Sequence, residues 1–282
     1  MNYAQLVAAI EDYVADEFDT TSVDTFIQQA EQRIYNSVQL AYLRKNVTGG
    51  LTKGNKYLSC PSDFLSTYSL AVFTFADPTA TGAIDETTIT VASANNIEIG
   101  QRVTGTGIGI DAVVEEIDGT TITLSVENAG AVSGTVIFQG DYEYLLNKDS
   151  NYIREVYPSA TVQGLPKYYG IFGPTVISSV STNELSLIIG PTPNKNYGVE
   201  MHYFFYPQTI VSAGTTWLGD NFDSVLLYGS LVEAYTYMKG EQDIMAVYET
   251  KYKEALMLLK QLGDGKERGD AYRDGQVKYP VK

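Results

Sequence analysis

The sequence predicts an α+β protein, with helices at both ends of the chain and antiparallel strands between them. Three observations carry this. Apolar residues recur at helical spacing over residues 2–17, again from Thr21 or Ser22 onward, and over 223–262. The middle of the chain reads instead as short period-2 runs broken by Gly, Pro and Asn. Within that middle, residues 76–140 have a composition of their own. The chain has 22 tyrosines, yet none lies between Tyr68 and Tyr142, and no lysine lies between Lys56 and Lys148.

In the first helix, Leu6, Val7, Ile10, Tyr13 and Val14 form one face, and Asn2 with Gln5 three residues on is a capping-box pattern. The second presents Val23, Phe26, Ile27, Ala30, Ile34 and Val38. The short acidic link between them predicts an antiparallel pair. Strands follow: Lys53-Gly54-Asn55 marks a turn between two short runs, Pro61 ends the second, and 66–75 reads as a third. The stretch 76–140 reads as an inserted all-β domain, with runs such as TTITVAS and TTITLSVE between Gly and Asp-Gly turns. The likeness of those two runs is read as strand bias rather than a repeat. NKDSNYIREVYP predicts a two-turn helix stopped at Pro158, and KYYGIFG, ELSLIIG and YGVEMHYFFYP predict strands. The expected domains are therefore 1–75 with 141–262 as a core of helical bundle plus β region, 76–140 as the insert, and 263–282 as an extended C-terminal arm.

Bulk properties exclude several function classes. The formal net charge of -15 argues against a general nucleic-acid-binding surface, which needs basic patches, and against docking to anionic lipid. It suits a channel through which DNA slides without sticking. One cysteine rules out an intrachain disulfide framework. The start has neither a basic n-region nor an apolar h-region, so no secretion signal is expected, and no run of about 18 apolar residues predicts a membrane span.

Chemistry-bearing residues are sparse. His202 is the only histidine; it shares a strand face with Glu200 and Phe204, while Tyr197, Val199, Met201, Tyr203 and Phe205 take the other. With no second His or Cys nearby it is read as structural rather than a zinc ligand, and no nucleophile-elbow sequence makes it part of a triad. Cys60, directly before Pro61, is read as a buried apolar thiol. GTGIGI at 105–110 lacks the Lys-Ser/Thr and the helix of a phosphate loop, so its glycines mark turns or bulges. The pairs Asp85/Glu86 and Glu115/Glu116 offer calcium or acid–base chemistry, but strand neighbours point to opposite faces, so they are read as solvated edge charges. No catalytic residue, cofactor or metal is expected, and the protein is read as a non-enzyme.

The informative segment is the helical hairpin. Asp220 or Asn221 caps the first helix, whose broad face is Phe222, Val225, Leu226, Val232 and Tyr235; Gly229 and Ser230 leave room for close approach. Lys239-Gly240 ends it, with Gly at C′. The second helix presents Ile244, Val247, Tyr248, Lys251, Ala255, Leu258, Leu259 and Leu262. Tyr235, Tyr237, Tyr248 and Tyr252 exceed what a two-helix core needs, and tyrosine is favoured at interfaces, so these four are assigned to a subunit interface. The tail, with Lys266, Arg268, Tyr272, Arg273, Lys278, Tyr279 and Pro280, reads as an arm that orders when laid on a partner.

The segments NKYLSCPSDFLS, NYIREVY, WLGDNFDSVLLYGSLVEAYTYMKGEQD and YETKYKEALMLLKQL resemble those of phage head-to-tail adaptor (connector) proteins of the tail tubular protein A type, from short-tailed phages. The resemblance covers about three quarters of the chain, everything but the insert. The insert separately resembles a small β module of phage structural proteins, and is the departure from the basic adaptor pattern. The resemblance implies a homo-oligomeric ring of twelve copies at the virion neck. That ring joins the portal protein to the tail nozzle protein and encloses the DNA channel, without sequence-specific binding and without a membrane. In it the helical part and the arm meet the portal, and the β part meets the nozzle. The alternative from another class is a tail-associated receptor- or glycan-binding protein acting through the insert, which has no Tyr or Trp to stack on sugars. A cell-wall hydrolase is the third option, disfavoured by the absence of histidine partners.

Overall fold

The structure, a computed structural model, describes residues 1–177 and 180–267, with backbone alone at 174–177, 180–184 and 264–267. It is mixed α and β. The chain divides into two compact units: Met1–Arg44 together with the chain from Phe205 on, and Lys45–Phe204.

The first unit is helical. Helix α1 (Tyr3–Val14) starts with a capping box, Asn2 accepting from the Gln5 N–H while the Gln5 side chain accepts from the Asn2 N–H. Helix α2 (Thr20–Ser37) is capped by Asp19 and buries Val23, Phe26, Ile27, Ala30 and Ile34. The antiparallel pair expected of these helices is only partly formed. Both pack chiefly on a later helix, with Leu6 and Ile10 of α1 and the stripe of α2 buried. A groove of about 380 Å³ opens between them, lined by Tyr3, Val7, Ala8, Glu11, Phe18 and Val23 and spanned by the Tyr3 hydroxyl donating to Asp24 at 2.6 Å.

After the second unit the chain returns through two short helices. They are α4 (Ile210–Ala213) and α5 (Trp217–Asn221), the helix of the second unit, Ser150–Val156, being α3. Asp220 and Asn221, expected to cap the hairpin, lie inside α5, which Thr216 caps by accepting from the Gly219 N–H at 3.2 Å. Helix α6 (Asp223–Met238) follows at once, with no side-chain cap. It is the helix on which α1, α2, α5 and α7 (Gln242–Glu267) pack. It is buried on most sides: Val225, Leu226, Leu231 and Ala234 are fully covered. Gly229 permits this approach, since a Cβ there would meet the Ala30 Cβ and the Tyr252 ring, each at 3.2 Å. At the end of α6 the left-handed residue is Lys239, φ 54°, rather than Gly240. Gly240 is needed for space, because a Cβ there would overlap the Tyr235 ring. Helix α7 runs five residues past the expected end at Leu262, so 263–267 of the expected arm are helical. Gly263 fits within it because the Gln39 carbonyl oxygen lies where a Cβ would sit.

The second unit is β-rich. One sheet has the strand order Arg44–Leu51, Tyr197–Phe205, Phe64–Phe73, Glu143–Tyr144. A second has the order Leu146–Asn147, Tyr168–Ile177, Val180–Gly190, Tyr57–Ser59, antiparallel except for its first pair. The two strands flanking the Lys53-Gly54-Asn55 turn thus join different sheets. Residues 75–139 build two further sheets of their own. A five-stranded antiparallel one runs Val132–Thr135, Thr79–Gly82, Thr88–Val91, Thr121–Leu124, Val114–Asp118, and a three-stranded one is centred on Ile137–Gln139. Ile89, Ile122, Leu124, Val103 and Phe138 fill the core between them. The likeness of TTITVAS and TTITLSVE has a structural reason: the two strands pair with each other, Thr88 opposite Thr123, Ile89 opposite Ile122 and Thr90 opposite Thr121. Equal alternation puts both isoleucines inward and the threonines outward.

Two predictions follow from packing. Gly198 lies in a central strand, and a Cβ there would overlap the Phe73 ring, itself packed against Tyr142 and Phe75. Gly198→Ala is expected to destabilise by about 1–3 kcal/mol in chemical denaturation, with partial recovery in Gly198→Ala/Phe73→Leu; a melt equal to wild type refutes the overlap. Glu31 is 2% exposed; its Oε1 accepts from the Ile210 N–H at 3.0 Å, at the start of α4, and its Oε2 has no partner among the described residues. Burial pushes its carboxyl up from 4.5, opposed by hydrogen bonds from Thr209 and Ile210. A raised folded-state value makes the folded protein bind the proton more tightly than the unfolded chain. Its contribution is full below the ordinary carboxylate range and is lost as pH rises through the folded value. Glu31→Gln retains an oxygen for Ile210 and removes the titration. Its stability relative to wild type is therefore expected to increase from pH 4.5 to pH 8 (an order-of-magnitude window set by the unperturbed carboxylate, about 4.3), and a flat difference across that range refutes the buried charge.

Candidate interaction surfaces

Cys60 and His202 are the residues that most invite catalysis. Cys60 is buried, and burial alone pushes its thiol up to about 12, far from a reactive thiolate. His202 alternates with the buried Met201 and Tyr203 on its strand and packs edge-on to Tyr68, ring centroids 5.1 Å apart. Asp63 is held below the usual carboxylate range, first by the hydrogen bond from Lys45 and also by the Tyr203 hydroxyl at 2.8 Å, a structural tie between strands. Among the described residues no group of three or more His, Cys, Asp or Glu side chains could hold a metal ion. Glu115 and Glu116 are both exposed, not on opposite faces, because a bulge between Val114 and Glu116 turns the strand. Gly107 (φ 84°) and Gly109 in the GTGIGI run lie where a Cβ would strike the backbone of Ala131 and Glu127 respectively, so they serve close packing of the β strands and loops. An open cleft of about 480 Å³ in the second unit is lined by Thr74, Gln101, Asp141, Glu143, Asn194 and Lys195. Its one lysine is ion-paired to Glu98, and the Gln101 amide donates to Thr74 at 2.9 Å.

Surfaces, not pockets, are what the helical unit offers. Of the face expected on α7, Ala255 and Leu259 are buried with Tyr252, but Ile244, Val247 and Leu258 are not: Val247 is 56% and Leu258 61% exposed, with Met257 exposed beside them. The eight residues expected to form one stripe lie within an arc of about 120° at 100° per residue, and packing on α6 covers only the edge of that arc that carries Ala255, Leu259 and, beyond it, Tyr252. The four tyrosines separate likewise. Tyr252 is 6% exposed, against Gly229 and under the Arg33 guanidinium at 6.0 Å, where Arg33 also pairs with Glu233. Tyr235 and Tyr248 are half-buried and pack edge to face, centroids 5.0 Å apart. Tyr237 is 63% exposed at the end of α6, against Phe26 at 5.2 Å and Phe18 at 6.4 Å.

Of the expected arm, Lys266 lies in α7, and Arg268, Tyr272, Arg273, Lys278, Tyr279 and Pro280 lie outside the described residues. The exposed side of α7 escaped the sequence reading. Val247 and Leu258 lie about 100–140° round the helix from Tyr252 and Leu259 at 100° per residue, and Ile244 nearer, about 60–80° away. No helix among the described residues is long and apolar enough to cross a membrane.

A search of curated proteins returned no match. The family model described as SU10 adaptor protein matches residues 1–277, taking in both units and the stretch 76–140. By a match over nearly its whole length, the chain belongs to the SU10 adaptor protein family, a family of phage adaptor proteins.

Proposed function

We propose that this protein is the head-to-tail adaptor of a phage virion. Twelve copies form a closed ring between the portal protein and the tail nozzle protein, enclosing the channel through which DNA passes. This is the arrangement implied by the likeness to tail tubular protein A adaptors of short-tailed phages. The protein is made in the host cytoplasm, ends at the virion neck, and does its work by contact alone.

The observation that carries the ring is the open side of α7. Ile244, Val247, Met257 and Leu258 face solvent on a helix whose other side is well packed. These side chains form two exposed groups, Ile244 with Val247 and Met257 with Leu258, on either side of the Lys251–Glu254 ion pair; exposed apolar side chains of this kind suit a contact site, and burying each leucine or valine side chain contributes roughly 1.5–3 kcal/mol. Tyr237 offers a second exposed ring on α6, against Phe18 and Phe26; Tyr235 and Tyr248 contribute their exposed edges, while Tyr252 holds α7 on α6 from within. A contact between different patches on successive copies is head-to-tail, and it closes into a ring when the rotation allows. The arm, with Lys266, Arg268, Tyr272, Arg273, Lys278, Tyr279 and Pro280, docks on the portal, and the 76–140 module points outward from the neck. The net charge of -15 keeps DNA from adhering as it slides.

Immunogold electron microscopy of virions with an antibody to residues 76–140 is expected to label the neck; gold at fibre tips instead transfers the protein to receptor binding. Truncation after Glu267 leaves α7 whole and is expected to preserve the melting temperature while abolishing portal binding in a pull-down. A truncated protein that still binds portal normally removes the arm from this assignment.

A further inference from the structure

In the second unit, α3 lies across one face of the sheet that contains Tyr57–Ser59 and Tyr168–Ile177. A Cβ at Gly170 or Gly190 would meet Ile153, and at Gly190 also Tyr157, so the helix sits directly over these two glycines. Aromatic rings surround it: Tyr57 and Phe172 have centroids 5.3 Å apart, Tyr152 and Tyr168 6.0 Å. Tyr57, Tyr152 and Phe172 are exposed. A cation lies over each of the three: Lys56 over Tyr57 at 5.6 Å, Lys148 over Tyr152 at 5.7 Å, Arg154 over Phe172 at 5.8 Å.

These cations differ from others in the unit. Lys45, Arg102 and Lys195 are ion-paired with Asp63, Asp111 and Glu98. Lys56, Lys148 and Arg154 have no acidic partner among the described residues. A ring face holds a cation in place without cancelling its charge. The acids nearby in sequence are Asp149, which caps α3 by accepting from the Asn151 N–H at 2.8 Å, and the exposed Glu155. A chain of net charge -15 thus keeps three unneutralised cations on one aromatic face.

The complementary surface is in the same chain. Residues 1–32 hold seven acids and no lysine or arginine. Five of the seven, Glu11, Asp12, Asp16, Glu17 and Asp19, cluster where α1 turns into α2, beside the exposed Tyr13.

We propose that these are two halves of one contact: the acidic corner at Glu11–Asp19 of one copy docks on the cation–aromatic face around α3 of the next copy. The inference rests on the ring reading and deepens it. Because the two patches are different surfaces, the contact is head-to-tail. Its charges set orientation and speed of encounter, and the apolar side of α7 supplies the bulk of the affinity. Exposed charges also make it salt-sensitive.

The test is sedimentation of the full chain at low and high salt, for wild type, Lys148→Glu/Arg154→Glu, Asp16→Lys/Glu17→Lys, and the variant carrying all four changes. Circular dichroism checks each fold, and Lys148→Gln/Arg154→Gln is the milder substitute where the glutamates disturb it. Each reversal is expected to weaken self-association about tenfold or more, and the fourfold variant to restore it, since it exchanges the signs of the two faces. A wild type that associates while both reversals associate equally well overturns this contact and leaves the ring intact. A wild type that is monomeric at every concentration and salt removes the ring as well. Loss without restoration in the fourfold variant overturns the pairing. So does a labelled oligonucleotide bound by wild type and released by Lys148→Glu/Arg154→Glu, which assigns the face to nucleic acid.

Discussion

The helical unit depends on one constraint: α6 has to be covered on most of its circumference. Its buried residues, Val225, Leu226, Leu227, Leu231, Val232 and Ala234, do not fit on one stripe. One neighbour cannot satisfy such a helix, so several must approach it, and two of them must come close. Gly229 permits that at Ala30 of α2 and Tyr252 of α7. Ser230 is fully buried on the same turn, and its hydroxyl donates to the Leu226 carbonyl at 2.9 Å rather than remaining unsatisfied. Once α1, α2 and α7 are committed to α6, they have less surface to offer each other. The groove between α1 and α2 and the open side of α7 are both consequences of that commitment.

The β unit solves a different problem. Residues 75–139 contain no tyrosine and few large aromatics, so their core rests on β-branched residues and on Phe138, which is fully buried. Small strands of two to five residues suffice because inward positions alternate in the Thr88–Val91 and Thr121–Leu124 pair, where facing isoleucines meet. Glycine is used where another backbone passes close, as at Gly107 and Gly109. The other two larger sheets of the unit are richer in aromatics, and it is there that cations and rings share an exposed face.

Sequence periodicity made the helices and most long strands legible, since their signals are local. Asn2 with Gln5 is a capping pair within four residues, and the Val23–Ile34 stripe is a simple 3.6 repeat. What stayed hidden was set by partners distant in the chain. Asp220 and Asn221 looked like caps of the hairpin, but they lie inside α5, which Thr216 caps, and α6 follows with no side-chain cap. Gly240 looked like a left-handed helix end, yet its need is space beside Tyr235. The paired glutamates 115 and 116 followed the alternation rule only until a bulge broke it. The tyrosine excess pointed to the hairpin, but Tyr252 and Tyr237 share a composition and not an environment. Helix spacing alone cannot tell which edge of the apolar arc of α7 a neighbour covers. The cation–aromatic face joins α3 to strands on either side of it in sequence, so no linear motif announces it.

Charge distribution bears on the proposed assembly. A net charge of -15 spread evenly would make copies repel at any approach. Here the first 32 residues carry acids without a single lysine or arginine, while three cations of the β-rich unit, Lys56, Lys148 and Arg154, rest on tyrosine and phenylalanine rings. In the proposed ring, segregation of this kind would turn self-repulsion into orientation dependence: copies would repel in most arrangements and attract in the one that brings an acidic corner to a basic face. Apolar surface alone, such as the open side of α7, has no such directionality and would permit many associations. Joining the two gives affinity from burial and register from charge, and a closed assembly needs both, because a ring forms only when every contact repeats the same rotation.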